Sequence, residues 1–245
     1  MNYKLFNGDC LELMKDIPDG SVDMILCDLP YGVTQNKADI VIPFKPLWEQ
    51  YERIIKPNGA IVLFAQGVFY VDLVNSNRKL FKYDLIWDKQ LVTGFLNANR
   101  MPMRQHEQIA VFGKGKIIYN PQMVVGAKNH RKGKNKTCKN DNYGEFKFQE
   151  CKTDGLKYPT SIISFPKPHS SVAKHRTEKS IPLLEWLIKT YTNKNETVLD
   201  NCMGSGTTGI ACIHTKRNFI GIEIDKQYFD IAKQRIEEAQ EGESE

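Results

Sequence analysis

Two short turns hold the residue types from which chemistry can be built. The first is Asp28-Leu29-Pro30-Tyr31-Gly32, which follows the apolar run Val22 to Cys27. A carboxylate at position 28 can accept a hydrogen bond from an exocyclic amine. Pro30 removes an N–H and holds the turn extended, which leaves carbonyl oxygens available as acceptors. Tyr31 offers a flat face on which a base can stack. This set suits alkylation of an aromatic amine, a nitrogen whose lone pair is delocalised into its ring. Hydrogen bonds from its N–H groups to Asp28 and to a carbonyl favour the pyramidal geometry that frees that pair. The group can then pass by in-line displacement, with positioning and electrostatics lowering the barrier. The candidate catalytic residues are therefore Asp28, Pro30 and Tyr31; the plain alternative is an ordinary capped turn.

The second turn is Asp200-Asn201-Cys202-Met203-Gly204-Ser205-Gly206-Thr207-Thr208-Gly209, between a strand-like run and a helical one. Its glycines let backbone approach a ligand, and the helix start offers unpaired N–H groups. Glu223 follows roughly twenty residues on, where nucleotide folds bind ribose hydroxyls. No Gly-Lys-Ser/Thr for a polyphosphate is present. Carboxylates instead end the expected strands: Asp9, Asp28, Asp200 and Glu223. Such a rim repels phosphates and suits a sulfonium cation with an amino group. S-adenosylmethionine fits better than NAD or ATP, although each acid taken singly also reads as a helix cap. Methylation at carbon 5 of cytosine is excluded, because it needs a cysteine nucleophile, typically beside a proline, and no Pro-Cys pair occurs.

These turns need rigid elements behind them. Tyr3 to Gly8, Val22 to Cys27, Ala60 to Ala65, Tyr83 to Trp87, Gln108 to Phe112, Thr197 to Leu199 and Phe219 to Ile224 read as strands. Pro46 to Ile55 has apolar residues at helical spacing and is stopped by Pro57-Asn58-Gly59. Ser180 to Tyr191, Thr207 to His214 and Tyr228 to Ala239 read as further helices. The alternation predicts an α/β fold, a mostly parallel sheet covered by helices on both faces. Between Lys114 and Lys167 the periodicity fails, in a stretch too long for a simple loop.

The chain has 245 residues, 41% hydrophobic and 26% charged, which suits a single catalytic domain with an insertion. No apolar run reaches the roughly 20 residues that span a bilayer. The N-terminus enters strand pattern without a signal-peptide core, so a cytoplasmic location is the expectation. The 6 cysteines are scattered and form no Cys-x-x-Cys pair, against a disulfide framework. His130, Cys138 and Cys151 match no zinc-ligand spacing, and no metal is expected. The net charge of +5 hides an asymmetry: lysines crowd positions 114 to 139, while glutamates crowd the C-terminus.

Taken together the motifs resemble the DNA amino-methyltransferases of the beta order, in which the catalytic tetrapeptide precedes the glycine motif. Asp28-Leu29-Pro30-Tyr31 is similar to that family's Asp-Pro-Pro-Tyr, and Asp200 to Thr207 to its Asp-Pro-Phe-x-Gly-x-Gly-Thr. His175-Arg176-Thr177-Glu178-Lys179-Ser180 resembles its His-Pro-Thr-Gln-Lys-Pro element, and Asn7-Gly8-Asp9-Cys10 its Gly-Asp segment. The resemblance covers about Tyr3 to Gly115 and His169 to Ala239. It implies the class I S-adenosylmethionine methyltransferase fold, with seven strands and the last antiparallel. It also implies a cofactor site of Asp9, Cys10, Asp28, Lys179, Ser180, Asp200, Met203, Gly204, Ser205, Gly206, Thr207, Glu223 and Ile224. Leu29, Asn201-Cys202 and Ser180 depart from the pattern, and the chain lacks the Phe of that turn.

In that family a target-recognition segment lies where this chain is irregular and basic, here residues 116–168 of a single domain 1–245. Lys128, Asn129, His130, Arg131, Lys132, Lys134 and Lys136 are the candidate DNA-binding residues, lysines for phosphates and the others for base edges; Asn135, Asn140 and Asn142 are further candidate base readers. The reacting base must leave the duplex. Gly32 to Phe44 can serve as a loop that closes on it, and His106-Glu107 either edges the pocket or caps a strand. The resemblance implies transfer to N6 of adenine in double-stranded DNA, because Asp rather than Ser stands at 28. The alternatives are cytosine N4, RNA and an inactive binding module. A restriction nuclease as partner, and a monomer or homodimer, belong to the same expectation.

Overall fold

The computed structural model describes residues 2–32, 40–126, 137–142, 144–147, 155–167 and 179–242. The strands are β1 (Tyr3–Asn7), β2 (Val22–Asp28), β3 (Ile55–Ala65), β4 (Phe81–Thr93), β5 (Arg104–Phe112), β6 (Val124–Val125), β7 (Thr137–Asn140), β8 (Gly144–Lys147), β9 (Leu156–Lys157), β10 (Ile162–Ser164), β11 (Thr197–Asp200) and β12 (Asn218–Glu223). The helices are α1 (Cys10–Leu13), α2 (Phe44–Ile54), α3 (Gly67–Ser76), α4 (Ile181–Tyr191), α5 (Thr207–Thr215) and α6 (Lys226–Gly242).

Eight strands form one sheet in the order β1-β12-β11-β2-β3-β5-β4-β10. Only β5 runs against its neighbours; every other pairing is parallel. The expected seven strands are present with β5 as the antiparallel one, and β10 is an eighth. It adds to the free edge of β4 through Ile162↔Ile86 to Ser164↔Asp88. Residues 121–160 form a separate compact unit with two ribbons, β6–β9 and β7–β8. The regular domain therefore resumes at Ser161, inside the stretch read as inserted.

Period-two alternation divides the core between the two faces. Met24 and Leu26 of β2 and Val62 and Phe64 of β3 point to one side, where α4, α5 and α6 supply Leu184, Ile210 and Ile236. Ile25, Cys27, Ile61 and Leu63 point to the other, against Met14, Leu47, Tyr51 and Phe69. α2 presents Leu47, Trp48, Tyr51 and Ile54 at helical spacing, so burial of that stripe forms it. It ends before the Pro-Asn-Gly, and β3 begins at once with Ile55 opposite Val22. The register shift between Val22 and Met24 absorbs Pro57 to Gly59 as a bulge.

Helix α3 has no counterpart in the sequence reading. Its valines Val68 and Val71 are exposed while Phe69 and Leu73 are buried, so no polar face contrasts with an apolar one. Among the described residues no helix is long and apolar enough to cross a membrane.

Candidate active site

The site lies at the carboxyl edge of the sheet. From β2 the chain leaves through α2 to β3 on one side, and from β11 through α5 to β12 on the other. The crevice beyond β2 and β11 is thus the point where strand order reverses, the preferred ligand position in open α/β sheets. Asp28 ends β2 there and Asp200 ends β11.

Asp28 is gripped from two directions. The Tyr31 hydroxyl donates to its Oδ1 at 2.8 Å, and the Lys179 ammonium lies 2.8 Å from its Oδ2. Burial and the adjacent Asp28 charge push the Tyr31 hydroxyl far above its ordinary range, so it stays a donor. One face of the Tyr31 ring already stacks on Phe69, with centroids 4.8 Å apart and planes at 27°. Leu29 is buried and Pro30 half-buried, so Leu29 anchors the turn in the core.

Behind Asp28 runs a ladder of alternating charges. Lys179 bridges Asp28 and Glu107, 3.0 Å from Glu107 Oε2, and Lys89 reaches Glu107 Oε1 at 3.2 Å. Lys89 is 3% exposed and Glu107 8%. Burial alone would raise the Glu107 carboxyl, but Lys179 and Lys89 overcome it and hold it at about 2. Burial likewise works against the Lys179 charge and is overcome by Asp28 and Glu107, so its ammonium is held above the usual lysine range. Lys179 also lies over the Phe64 ring, 4.8 Å from its centroid. Lys167 is beside this group; burial, then Lys179, depresses it.

Lys179, expected among the cofactor residues, lies against the Asp28 carboxylate. Lys89 was not anticipated at all, yet its position signals it. Leu85, Trp87 and Lys89 share one face of β4, and the first two are buried. A lysine in phase with core residues requires a buried partner. Glu107 has the same phase relation to Ile109 and Val111 on β5.

The glycine turn is built on internal bonds. Asp200 Oδ1 accepts from Cys202 N at 3.1 Å, and Oδ2 from the Thr208 hydroxyl at 2.6 Å. Glu223 Oε2 accepts from Gly204 N at 2.8 Å and Oε1 from Asp225 N at 2.9 Å, which ties two loops together. Arg235 donates to the carbonyl and hydroxyl of Ser205. Met203, Ser205 and Thr207 are buried, as is Ser180, the residue just before α4; Asp9 caps α1 by accepting from Leu11 N, with Cys10 buried behind it. Two members of the expected set open outward: Ile224 is 63% exposed, and a Cβ at Gly204 would meet nothing within 4 Å. Where the family has Pro-Phe, Asn201 accepts from the Tyr51 hydroxyl at 2.5 Å, and its amide donates to the Cys202 sulfur at 3.5 Å.

Burial raises the Asp200 carboxyl from 3.8 to about 6, against the hydrogen bonds from Thr208 and Cys202. A carboxyl whose folded value is raised contributes stability that is complete below its unfolded value and is lost as pH rises through the folded one. Urea unfolding between pH 4 and 7 should therefore show a fall in stability toward pH 6 that Asp200→Asn removes. An unchanged slope in the variant would refute this.

Lys128, Asn129, His130, Arg131, Lys132, Lys134 and Lys136 lie outside the described residues. So do positions 33–39 of the expected closing loop, His175 to Glu178, and His130 and Cys151 of the zinc grouping. Asn142, a candidate base reader, is exposed in the turn between β7 and β8.

Residues 22–234 match the family model for DNA methylases of the N6/N4 type. The chain is 26% identical over 259 residues to the type II methyltransferase M.HpaI of Haemophilus parainfluenzae, covering 97% of this chain and 75% of that one. It is 27% identical to the DNA adenine methyltransferase YhdJ of Escherichia coli, over 96% of this chain and 83% of the other. The structure superposes on the M1.HpyAVI–SAM complex with a TM-score of 0.65 at 27% identity, covering 95% of this chain and 99% of that one.

Proposed function

The chain belongs to the DNA methylase family, and from that premise we propose that it methylates the exocyclic N6 of adenine in duplex DNA. The observation that carries the reading is Asp28. Its carboxylate ends β2 beside the crevice, held by Tyr31 and Lys179 and flanked by the carbonyls of a proline turn.

S-adenosylmethionine, when bound, supplies an activated methyl group on a sulfonium. The residues fit it: Gly204 leaves the turn open, Glu223 retains lone pairs for hydroxyls, and Ile224 offers an apolar surface for an adenine. Asp200, Met203, Ser205, Gly206 and Thr207 hold the shape of that turn, and Asp9, Cys10 and Ser180 support its rim. Asp28 and the Leu29 or Pro30 carbonyl accept the two N–H groups of the target amine. The carboxylate then stabilises the positive charge that develops on the nitrogen. The Tyr31 ring, backed by Phe69, stacks the extruded base. The basic segment 128–136 holds the DNA backbone, and similarity to type II methyltransferases supports a restriction nuclease that reads the same sequence.

The two turn glycines separate fold from ligand. Gly206 has φ +80° and a Cβ there would lie 2.9 Å from Ala232 Cβ; Gly204 has φ +51° and open space. Gly206→Ala should lose about 2 kcal/mol or more in urea unfolding, from strain plus overlap. Gly204→Ala should lose no more than about 1–2 kcal/mol yet bind S-adenosylmethionine more weakly by calorimetry. Equal behaviour of the two variants in both measurements would contradict this division.

The reading is tested by expressing the chain in a methylation-free host and sequencing the modified DNA, with mass spectrometry of its nucleosides. N6-methyladenine at one recognition sequence is expected. N4-methylcytosine would move the product within the family, and unmodified DNA would end the reading.

A further inference from the structure

The hairpin between β4 and β5 extends well past the catalytic edge. Asp28 pairs with Phe64, Phe64 with Ile109 and Ile109 with Leu85, so these four residues mark one row across the sheet. β3 ends at Ala65, one residue beyond that row, while β4 runs on to Thr93. At about 3.3 Å per residue, and with the strand bent at the register shift after Asp88, the tip stands on the order of 20 Å beyond. Its base is fastened: Asp88 accepts from Gln105 and Ser164, and Arg104 donates to Gln66 at the end of β3.

Every residue from Gly94 to His106 is exposed. Apolar side chains nonetheless occupy this tip: Phe95 is 75% exposed, Leu96 84% and Met101 50%. Apolar groups held that far from any core mark a contact surface. The stretch contains Arg100 and Arg104 and no carboxylate, a charge pattern complementary to phosphate. Removing a base from a duplex leaves a gap that apolar side chains fill in other DNA-distorting proteins.

We propose that the β4–β5 tip is a wedge that enters the base stack beside the target nucleotide, Phe95 and Leu96 filling the vacated space and Arg100 engaging the backbone. This rests on duplex DNA as the substrate. The test compares wild type with the double variant Phe95→Ser, Leu96→Ser on two duplexes carrying the mapped recognition sequence. One is fully paired, and the other has an abasic site opposite the target base, so that little pairing remains to be broken. Single-turnover methyl transfer should fall about a hundredfold on the paired duplex and only severalfold on the abasic one. Equal losses on both, or none, overturn the wedge, as does a wild-type dimer in sedimentation that the double variant abolishes. Phe95→Trp gives a readout without methyl transfer: stacking in DNA should quench the added emission, and an unchanged spectrum overturns the proposal. That quenching decides the wedge even where wild type modifies no DNA, a result that would instead refute the enzymatic reading.

Discussion

Replacing Asp28 by asparagine should lower the single-turnover rate of methyl transfer by about a thousandfold, on the order of 4 kcal/mol of transition-state stabilisation. Asparagine keeps the size of the side chain and one oxygen, so it can still accept from Tyr31 or Lys179, the two groups that hold Asp28. It cannot offer a negative charge to a nitrogen that becomes cationic. Lys179 keeps Glu107 as a counter-ion, so the variant should fold, and its melting temperature should move little. Duplex binding should survive, because the segment proposed to hold DNA is untouched. Stopped-flow or quench-flow assays on a mapped recognition duplex measure the rate, and cofactor calorimetry checks the fold. A loss below about tenfold would remove Asp28 from the chemistry. A loss accompanied by unfolding would make it structural.

The central strands were legible because they are buried on both faces. Val22 to Cys27 and Ala60 to Ala65 are nearly continuous apolar runs closed by turn residues, a pattern that parallel sheets impose. β10 was not legible. It has three residues, only Ile163 is buried, and its pairing with β4 is set by sheet geometry rather than by any local preference. The start of β3 was misplaced for a related reason: Pro57-Asn58-Gly59 signals a break, and tertiary pairing of Ile55 with Val22 overrides it as a bulge.

Both candidate turns could be found from residue type, since proline, glycine and strand-end carboxylates act through local geometry. What those carboxylates bond to could not. Asp200 and Glu223 spend their oxygens on the protein's own turns, and Lys179 bridges to Asp28 across residues far apart in sequence. Such pairings depend on which strands are neighbours. Only the phase of Lys89 and Glu107 within otherwise buried strand faces hinted that a charge partner was required.

The ladder Asp28–Lys179–Glu107–Lys89 gives the second large effect, this time on stability. Glu107→Gln should destabilise the fold by about 3–5 kcal/mol, because it leaves the buried Lys89 without its counter-charge and Lys179 with half of its own. Adding Lys89→Met removes the orphaned cation, so the double variant should recover much of the loss. The pH dependence has a definite sign. A carboxyl held at about 2 rather than 4.5 contributes stability that is complete above 4.5 and is lost as pH falls toward 2. Acid titration of wild type should show that loss, and the Glu107→Gln, Lys89→Met double variant should lack it. Catalysis should respond too. With Glu107 neutral, Lys179 pairs with Asp28 alone and competes with the target amine for that carboxylate, so methyl transfer should slow at unchanged cofactor affinity. A Glu107→Gln variant with wild-type stability and rate would show that the ladder neither supports the core nor shares in setting the charge at Asp28.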